Sequence, residues 1–269
     1  KFLFKSMSEQ KILGLLKSNQ LTKAKQFIEN LLKSEKENIT YVFYYGLILA
    51  NERKYRDAIN FFEKALAADK SHYDSNFNIA GCYQGLLIFD KAIEYYENCS
   101  KINTNKFEPY HQIGICYKQL RKYEDSISYL KKALKISVNA KSFYMLGNVY
   151  RENGQFEEAK RSFEKSIDIN KEFTQSKLSL ANLEIDYENY ERAGRMLDEI
   201  IQSNESETVL ISAKIMIGNI LKSKGDFEKA IKINQDILEK DTNNIDALYN
   251  ISQCYLFTKE YEKAWTYHE

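Results

Sequence analysis

The chain has 269 residues, of which 43% are hydrophobic, and its 39 basic residues nearly balance its 38 acidic ones, for a formal net charge of +1. This mixture gives no field that would attract a phosphate backbone or an anionic membrane surface, so it argues against a nucleic-acid partner. No apolar run reaches the roughly 18 residues that a membrane span needs, and we expect no membrane insertion.

One pattern of small, aromatic and apolar residues recurs along nearly the whole sequence, and it is clearest between 146 and 163. Leu146, Gly147 and Tyr150 fall on one face of a predicted helix, and Gly154 interrupts it. The apolar stripe of a second helix follows and includes Phe163. The stretch therefore predicts a helix-turn-helix hairpin.

Two series of small residues set the register of this pattern. We call the first the alanine position of the second helix, and it recurs at intervals of 33, 34 or 37 residues: Ala24, Ala58, Ala92, Ser126, Ala159, Ala193, Ala230 and Ala264. Twelve residues earlier comes the small position of the first helix: Gly46, Ala80, Gly114, Gly147, Ala181, Gly218 and Ser252, with Ile12 as the one departure. Small residues at both positions let the two helices approach closely.

At these residues the sequence resembles the tetratricopeptide repeat, a 34-residue pair of antiparallel helices. A further position of the family, three residues after the small position, carries Tyr83, Tyr117, Tyr150 and Tyr255 here. The resemblance implies an all-α fold, a right-handed superhelical solenoid of about eight helix hairpins in a single array over 1–269. The predicted repeats cover about 5–38, 39–72, 73–106, 107–139, 140–173, 174–207, 211–244 and 245–269.

Taken in order, the repeats differ in regularity. The first fits worst and has the character of a worn repeat or a terminal cap. The second to fifth are regular. The sixth and seventh carry Glu184 at the tyrosine position, Gly194 inside a second helix, three additional residues at 208–210, and Asn234 at an aromatic position. We expect the packing to be weakest there, with a bend and faster amide exchange. The eighth stops within its second helix, which favours a fragment of a longer protein.

The turns between repeats lack the proline that family members usually carry, because the only proline, Pro109, opens a first helix. Side chains of Asn, Asp, Ser and Thr must cap the helices instead, as at 69–71, 103–105 and 241–244. The four cysteines occupy packing positions for small residues, so we expect buried free thiols. His72 lies in a turn, where we expect it to be solvated.

No cluster of titratable or nucleophilic residues with a known catalytic or metal-binding spacing occurs. We therefore expect no enzyme activity, no cofactor and no metal. Neither a secretory signal nor a membrane span is visible, which predicts an intracellular, cytoplasmic location and leaves a cytoskeletal or ciliary assembly open.

The family resemblance implies that the first helices line a concave groove that takes a partner peptide or helix. Three residues before the small position stands an aromatic column, which has two readings: a partly exposed wall of the groove, or packing onto the next repeat. Its members are Phe43, Phe77, His111, Tyr144, Leu178, Ile215 and Tyr249. One residue after the small position stands an amide row of Asn148, Asn182, Asn219 and Gln253.

Repeated amides can grip the backbone of an extended peptide. The row resembles in part the asparagine ladder of the glycosyltransferase that modifies Ser and Thr with N-acetylglucosamine, although asparagine is abundant in this chain anyway. Arg151 adds a charge contact to an acidic segment or is simply hydrated. The clamp that grips chaperone C-termini needs a lysine where Glu9, Phe43 and Phe77 stand, so that partner is not expected.

The sequence thus favours a non-catalytic protein-protein interaction scaffold within a larger assembly. The alternative is a substrate-selecting or regulatory region of an enzyme whose catalytic domain lies outside this span. A peptide-sensing regulator is a third reading.

Overall fold

A computed structural model describes residues 7–267, which form sixteen α-helices and no strand. The first helices of the hairpins are α1 (Met7–Lys17), α3 (Ile39–Asn51), α5 (Tyr73–Gly85), α7 (Glu108–Gln119), α9 (Ala140–Glu152), α11 (Thr174–Asp186), α13 (Glu207–Ser223) and α15 (Ile245–Phe257). The second helices are α2 (Leu21–Ser34), α4 (Tyr55–Ala68), α6 (Phe89–Ile102), α8 (Tyr123–Ile136), α10 (Phe156–Ile169), α12 (Tyr190–Ile201), α14 (Phe227–Leu238) and α16 (Tyr261–Thr266). The predicted all-α fold of eight hairpins is confirmed.

The helices group into two compact units, Lys1–Val138 and Asn139–Glu269. Each contains four consecutive hairpins, α1–α8 in the first unit and α9–α16 in the second. The continuity of a single array over 1–269 stays a prediction.

Every hairpin turns by the same device at the end of its first helix. One residue of each turn has a positive φ, between 54° and 79°: Asn19, Arg53, Leu87, Arg121, Gly154, Glu188, Gly225 and Lys259. The next N–H donates to the carbonyl of the tyrosine position, as from Gln155 to Tyr150 at 2.8 Å and from Lys54 to Leu49 at 2.9 Å. This is the Schellman arrangement, which satisfies a helix-end carbonyl and reverses the chain.

The two small positions lie in the helix contacts that the sequence predicted. All eight residues at the alanine position are at most 2% exposed. At the small position, a Cβ on Gly147 would stand 2.5 Å from the ring of Phe163, and one on Gly46 would stand 2.7 Å from Phe62. The large residue four after the alanine position therefore fills the space that the glycine leaves. In the first hairpin the small position is occupied by Ile12, which is fully buried in one cluster with Ile28.

The residues that open the second helices α4 and α14 also reach the following hairpin. A Cβ on Gly85, at the end of α5, would stand 2.7 Å from the Tyr55 ring that opens α4. At α14 the ring of Phe227 stacks on Phe257 of α15, with centroids 5.6 Å apart and planes 13° apart. These wedges join consecutive hairpins within a unit.

Polar caps replace proline between hairpins, as predicted. Asp69 accepts from the backbone N–H of Ser71 at 2.9 Å, and Asn244 accepts from that of Ala247 at 3.1 Å at the start of α15. The expectation of a solvated His72 is wrong. Its Nδ1 accepts from the Ser75 N–H at 3.2 Å, and its ring lies 5.4 Å from Phe43, so it caps α5 and packs.

The sixth and seventh hairpins absorb their irregularities in different ways. The additional residues at 208–210 lie within α13, which at 17 residues is the longest helix described. Gly194 meets no atom within 4 Å of an added Cβ, so this glycine serves no close contact. Glu184 and Asn234 are both fully buried. The bend and the faster amide exchange of these hairpins stay predictions.

Candidate partner-binding faces

The first helices form a continuous layer within the second unit. Consecutive first helices α9, α11, α13 and α15 contact one another, and α1, α3 and α5 do the same in the first unit. Side chains at one register position of these helices therefore share one face, which we call the first-helix face of that unit. The aromatic column and the amide row belong to these faces.

In the first unit the column is half-buried. The ring of Phe43 lies 5.6 Å from Phe62, in the second helix of its own hairpin. Phe77 lies 5.1 Å from Tyr96 in the same way. His111 approaches Phe107 at 6.5 Å. One side of each aromatic ring packs, and each side chain keeps part of its surface open.

In the second unit the column becomes more open toward α15. The ring of Tyr144 lies 6.1 Å from Phe163 and 5.4 Å from Phe173, which opens the next hairpin. Tyr249 is 56% exposed, which makes it the most accessible aromatic of the column. Tyr144 therefore packs on the next hairpin, while Tyr249 has the most open surface, and the groove wall itself stays a prediction.

The amide row and Arg151 differ in accessibility. Asn148 is only 8% exposed, whereas Asn182 and Asn219 are half-buried. Arg151 is also half-buried, and no carboxylate within 7–267 pairs with it. Asn182 and Asn219 therefore offer more polar surface to a partner than Asn148 does.

Sequence reasoning noted Asn250 as an amide of this face but missed Lys222, which pairs with it. Lys222, in the last turn of α13, donates from Nζ to Oδ1 of Asn250 in α15 at 2.8 Å. Asn250 is 4% exposed, and burial lowers the pKa of the Lys222 ammonium. The signal was available, because Lys222 follows Gly218 by four residues as Arg151 follows Gly147.

A second polar cluster surrounds Glu184, near the hairpin turns of the same unit. Oε1 of Glu184 lies 2.9 Å from Nζ of Lys160 and 2.8 Å from Nη1 of Arg192, while Asn189 donates to Oε2 at 2.7 Å. Burial raises the pKa of this carboxyl, but these hydrogen bonds and cations outweigh burial and leave the pKa lowered. The adjoining cleft of about 530 Å³ also includes Arg195. A carboxylate held ionised in this way is a structural ion pair rather than a proton donor.

The thiols have the predicted character. All four cysteines are free and buried. Burial raises the pKa of Cys82 to about 11 and the pKa of Cys99 and Cys116 to about 12, so these thiols stay protonated and unreactive. Within 7–267 no group of three His, Cys, Asp or Glu side chains could hold a metal, and no helix combines the length and the apolar character needed to cross a bilayer.

Helix hairpins with these two small positions define a class of α-helical repeat proteins. The family model "Tetratricopeptide repeat" matches residues 108–172 and again 211–238. That of "Anaphase-promoting complex, cyclosome, subunit 3" matches 51–133. The chain belongs to the tetratricopeptide repeat family.

Known proteins share this fold at low identity. A tetratricopeptide repeat protein from Parabacteroides merdae covers 92% of this chain and 97% of its own at 17% identity, with a TM-score of 0.69. Pseudomonas aeruginosa pilF covers 80% and 96% at 19% identity, with a TM-score of 0.65. The Drosophila melanogaster protein O-mannosyl-transferase Tmtc3 is 26% identical over 127 residues, which are 47% of this chain and 13% of that protein.

Proposed function

We propose that this chain is a non-catalytic scaffold that binds a segment of another protein on the first-helix face of its second unit. The observation that carries the proposal is the layer of contacting first helices, which presents aromatic and amide side chains at repeated register positions. Membership of a repeat family whose fold serves protein-protein interaction supports it.

The binding residues that we propose follow the column and the row. In the second unit they are Tyr144, Asn148, Arg151, Asn182, Asn219 and Tyr249; in the first unit Phe43, Phe77 and His111 offer a separate, half-buried face. Of these, Tyr249 is the best anchor, because an exposed aromatic ring supplies a large contact area at a small entropic cost. Its 56% exposure means that no packing role within its hairpin requires the whole ring.

The test compares two equally exposed tyrosines, one on a first helix and one on a second helix. Tyr249 in α15 and Tyr261 in α16 are both 56% exposed. The intact chain serves as bait in a cell extract, and the recovered partner is then purified and titrated against Tyr249→Ala and Tyr261→Ala. We expect Tyr249→Ala to weaken binding by about 2 kcal/mol, the scale of an interface hot spot, and Tyr261→Ala to leave binding unchanged.

The double change Tyr144→Ala with Asn148→Ala extends the test to α9. Because Tyr144 packs on Phe163 and Asn148 is buried, helix content and unfolding must be measured beside binding. Native-like folding with normal binding by both the double variant and Tyr249→Ala would contradict the first-helix face as the binding site. Unfolding of the double variant would instead assign those two residues to the core.

The match to Tmtc3 favours a second candidate, a repeat region that selects substrates for an enzyme. The same pull-down separates the two functions. A scaffold recovers the subunits of one assembly in fixed proportion, whereas a substrate selector recovers many unrelated proteins at lower occupancy.

A further inference from the structure

Lys222 occupies an unusual place for a cation on the first-helix face of the second unit. Its Nζ donates to Asn250 at 2.8 Å and lies 5.7 Å from the centroid of the Tyr249 ring. Asn219, one turn earlier on α13, lies on the same side of the helix. Lys222, Asn250 and Tyr249 thus bring together an ammonium, an amide and an exposed aromatic ring, with the amide of Asn219 one turn away on the same side of α13.

The charge of Lys222 has no counter-ion within 7–267. Other lysines of this unit differ, since Lys160 pairs with Glu184 at 2.9 Å and Lys240 with Glu207 at 3.3 Å. The neighbours of the Lys222 ammonium are neutral, the Asn250 oxygen and the Tyr249 ring, although an ammonium carries three donors. Burial without neutralisation disfavours the charged form, which agrees with the lowered pKa of this lysine.

We propose that Lys222 and Asn219 bind a carboxylate side chain of an acidic partner segment, with an apolar neighbour of that residue resting on Tyr249. The inference rests on the proposed function and names the chemistry of the partner. A carboxylate would supply the missing counter-ion and accept from the free donors of the ammonium. Arg151, also without a carboxylate partner, stands at the equivalent position of α9 and provides a second basic contact for the same segment.

A protein segment suits this site better than a nucleic acid does. A phosphate backbone is bound by rows of cations, and the net charge of the chain is only +1. Ile185 occupies the equivalent position on α11, between Arg151 and Lys222, which interrupts any basic row with an apolar side chain. Separated cations with an apolar residue between them match a segment in which acidic and apolar residues alternate.

The experiment uses fluorescein-labelled short peptides in which Asp and Leu alternate, and a matched set in which every Asp is Asn. Their dissociation constants are measured by fluorescence anisotropy with the intact chain. We expect the Asp peptides to bind about tenfold or more tightly than the Asn peptides, as a charge-assisted hydrogen bond gives. Lys222→Met should remove most of that preference.

Two further variants serve as controls for folding and for general charge attraction. Lys222→Gln keeps a donor for Asn250 but removes the charge, so it should fold normally and still lose the preference for Asp. Lys232→Met removes the same charge from an exposed position of the second helix α14, and it should keep the preference. If Lys232→Met lowers binding as much as Lys222→Met does, the effect is general charge attraction and the proposal is wrong.

The remaining outcomes also decide the matter. Equal binding of the Asp and Asn peptides would contradict the proposed contact between Lys222 and a carboxylate. If Tyr249→Ala weakened the binding of both peptides, the first-helix face would still be the binding site. Failure of every peptide to bind, or displacement of the Asp peptides by single-stranded RNA, would overturn the acidic segment, while the pull-down decides the proposed function separately.

Discussion

The fifth and sixth hairpins fill the tyrosine position with opposite chemistry. Tyr150 of α9 is 8% exposed and Glu184 of α11 is fully buried, yet both carbonyls accept the same turn hydrogen bond at 2.8 Å. The carboxylate is accommodated because Lys160 and Arg192, from the flanking second helices, reach it. The position near the turn thus tolerates a charge when neighbouring side chains supply partners.

The seventh hairpin has a polar residue farther from the turn, at the contact between its two helices. Asn234 stands where the fifth hairpin has Phe163, opposite the glycine of the small position. Its Nδ2 donates back to Ala230 at 2.7 Å, but its Oδ1 is buried without a partner. The comparison teaches that a polar residue at the centre of a hairpin is only partly compensated, because no donor reaches its buried Oδ1.

The largest expected loss of stability comes from removing the ion pairs of Glu184 in the sixth hairpin. Glu184→Gln leaves Lys160 without a counter-ion and leaves Arg192 only its pair with Glu164, and we expect a cost of about 3 kcal/mol, the scale of breaking a buried ion pair. Urea unfolding followed by circular dichroism measures the loss. The triple variant Glu184→Leu with Lys160→Met and Arg192→Leu removes all three charges that meet at Glu184 and should return stability close to that of the wild type. A small loss of unfolding free energy in Glu184→Gln would show that the ion pairs contribute little to stability.

The same carboxyl gives a pH dependence with a definite sign. Its pKa in the folded chain is lowered from the usual 4.5, so the ion pairs contribute fully above that value. As pH falls through the lowered folded pKa, this contribution is lost. Stability of the wild type should therefore fall more steeply below about pH 4.5 than stability of Glu184→Gln.

An intermediate effect is expected from exchanging residues between the fourth and seventh hairpins. The fourth places Leu130 opposite Gly114, as the seventh places Asn234 opposite Gly218. Asn234→Leu removes an unpartnered buried acceptor and should stabilise the chain by about 1 kcal/mol. The reciprocal Leu130→Asn should destabilise it by about 2 to 3 kcal/mol. Unfolding midpoints in urea compare the two, and a destabilising Asn234→Leu would contradict the interpretation.

The sequence predicted the helices, their pairing and the buried small positions, because close helix contacts demand small residues at a fixed interval. It did not predict that Glu184 is ion-paired, because Lys160 and Arg192 come from two other helices. It also missed that His72 caps α5 through the N–H of Ser75, because histidine is not among the preferred N-cap residues. For the binding face it predicted the column and the row but missed Lys222. The significance of Lys222 depends on its burial against α15 and on the absence of a counter-ion among the described residues, and the spacing alone shows neither.

The smallest expected change in stability comes from substitutions in the hairpin turns, one turn from each unit. The third hairpin places Leu87 at the positive-φ position, with φ 61°, whereas the fifth places Gly154 there, with φ 74°. A side chain with a Cβ is strained in this conformation, and Leu87 is 73% exposed, so it contributes little burial in return. Leu87→Gly relieves the strain but gives the unfolded chain more freedom. The net gain should be at most about 1 kcal/mol, and the matched change Gly154→Ala should cost about 1 kcal/mol. Thermal unfolding of both variants checks the signs; a loss of stability in Leu87→Gly would mean that the leucine stabilises its turn through contacts that outweigh its strained backbone.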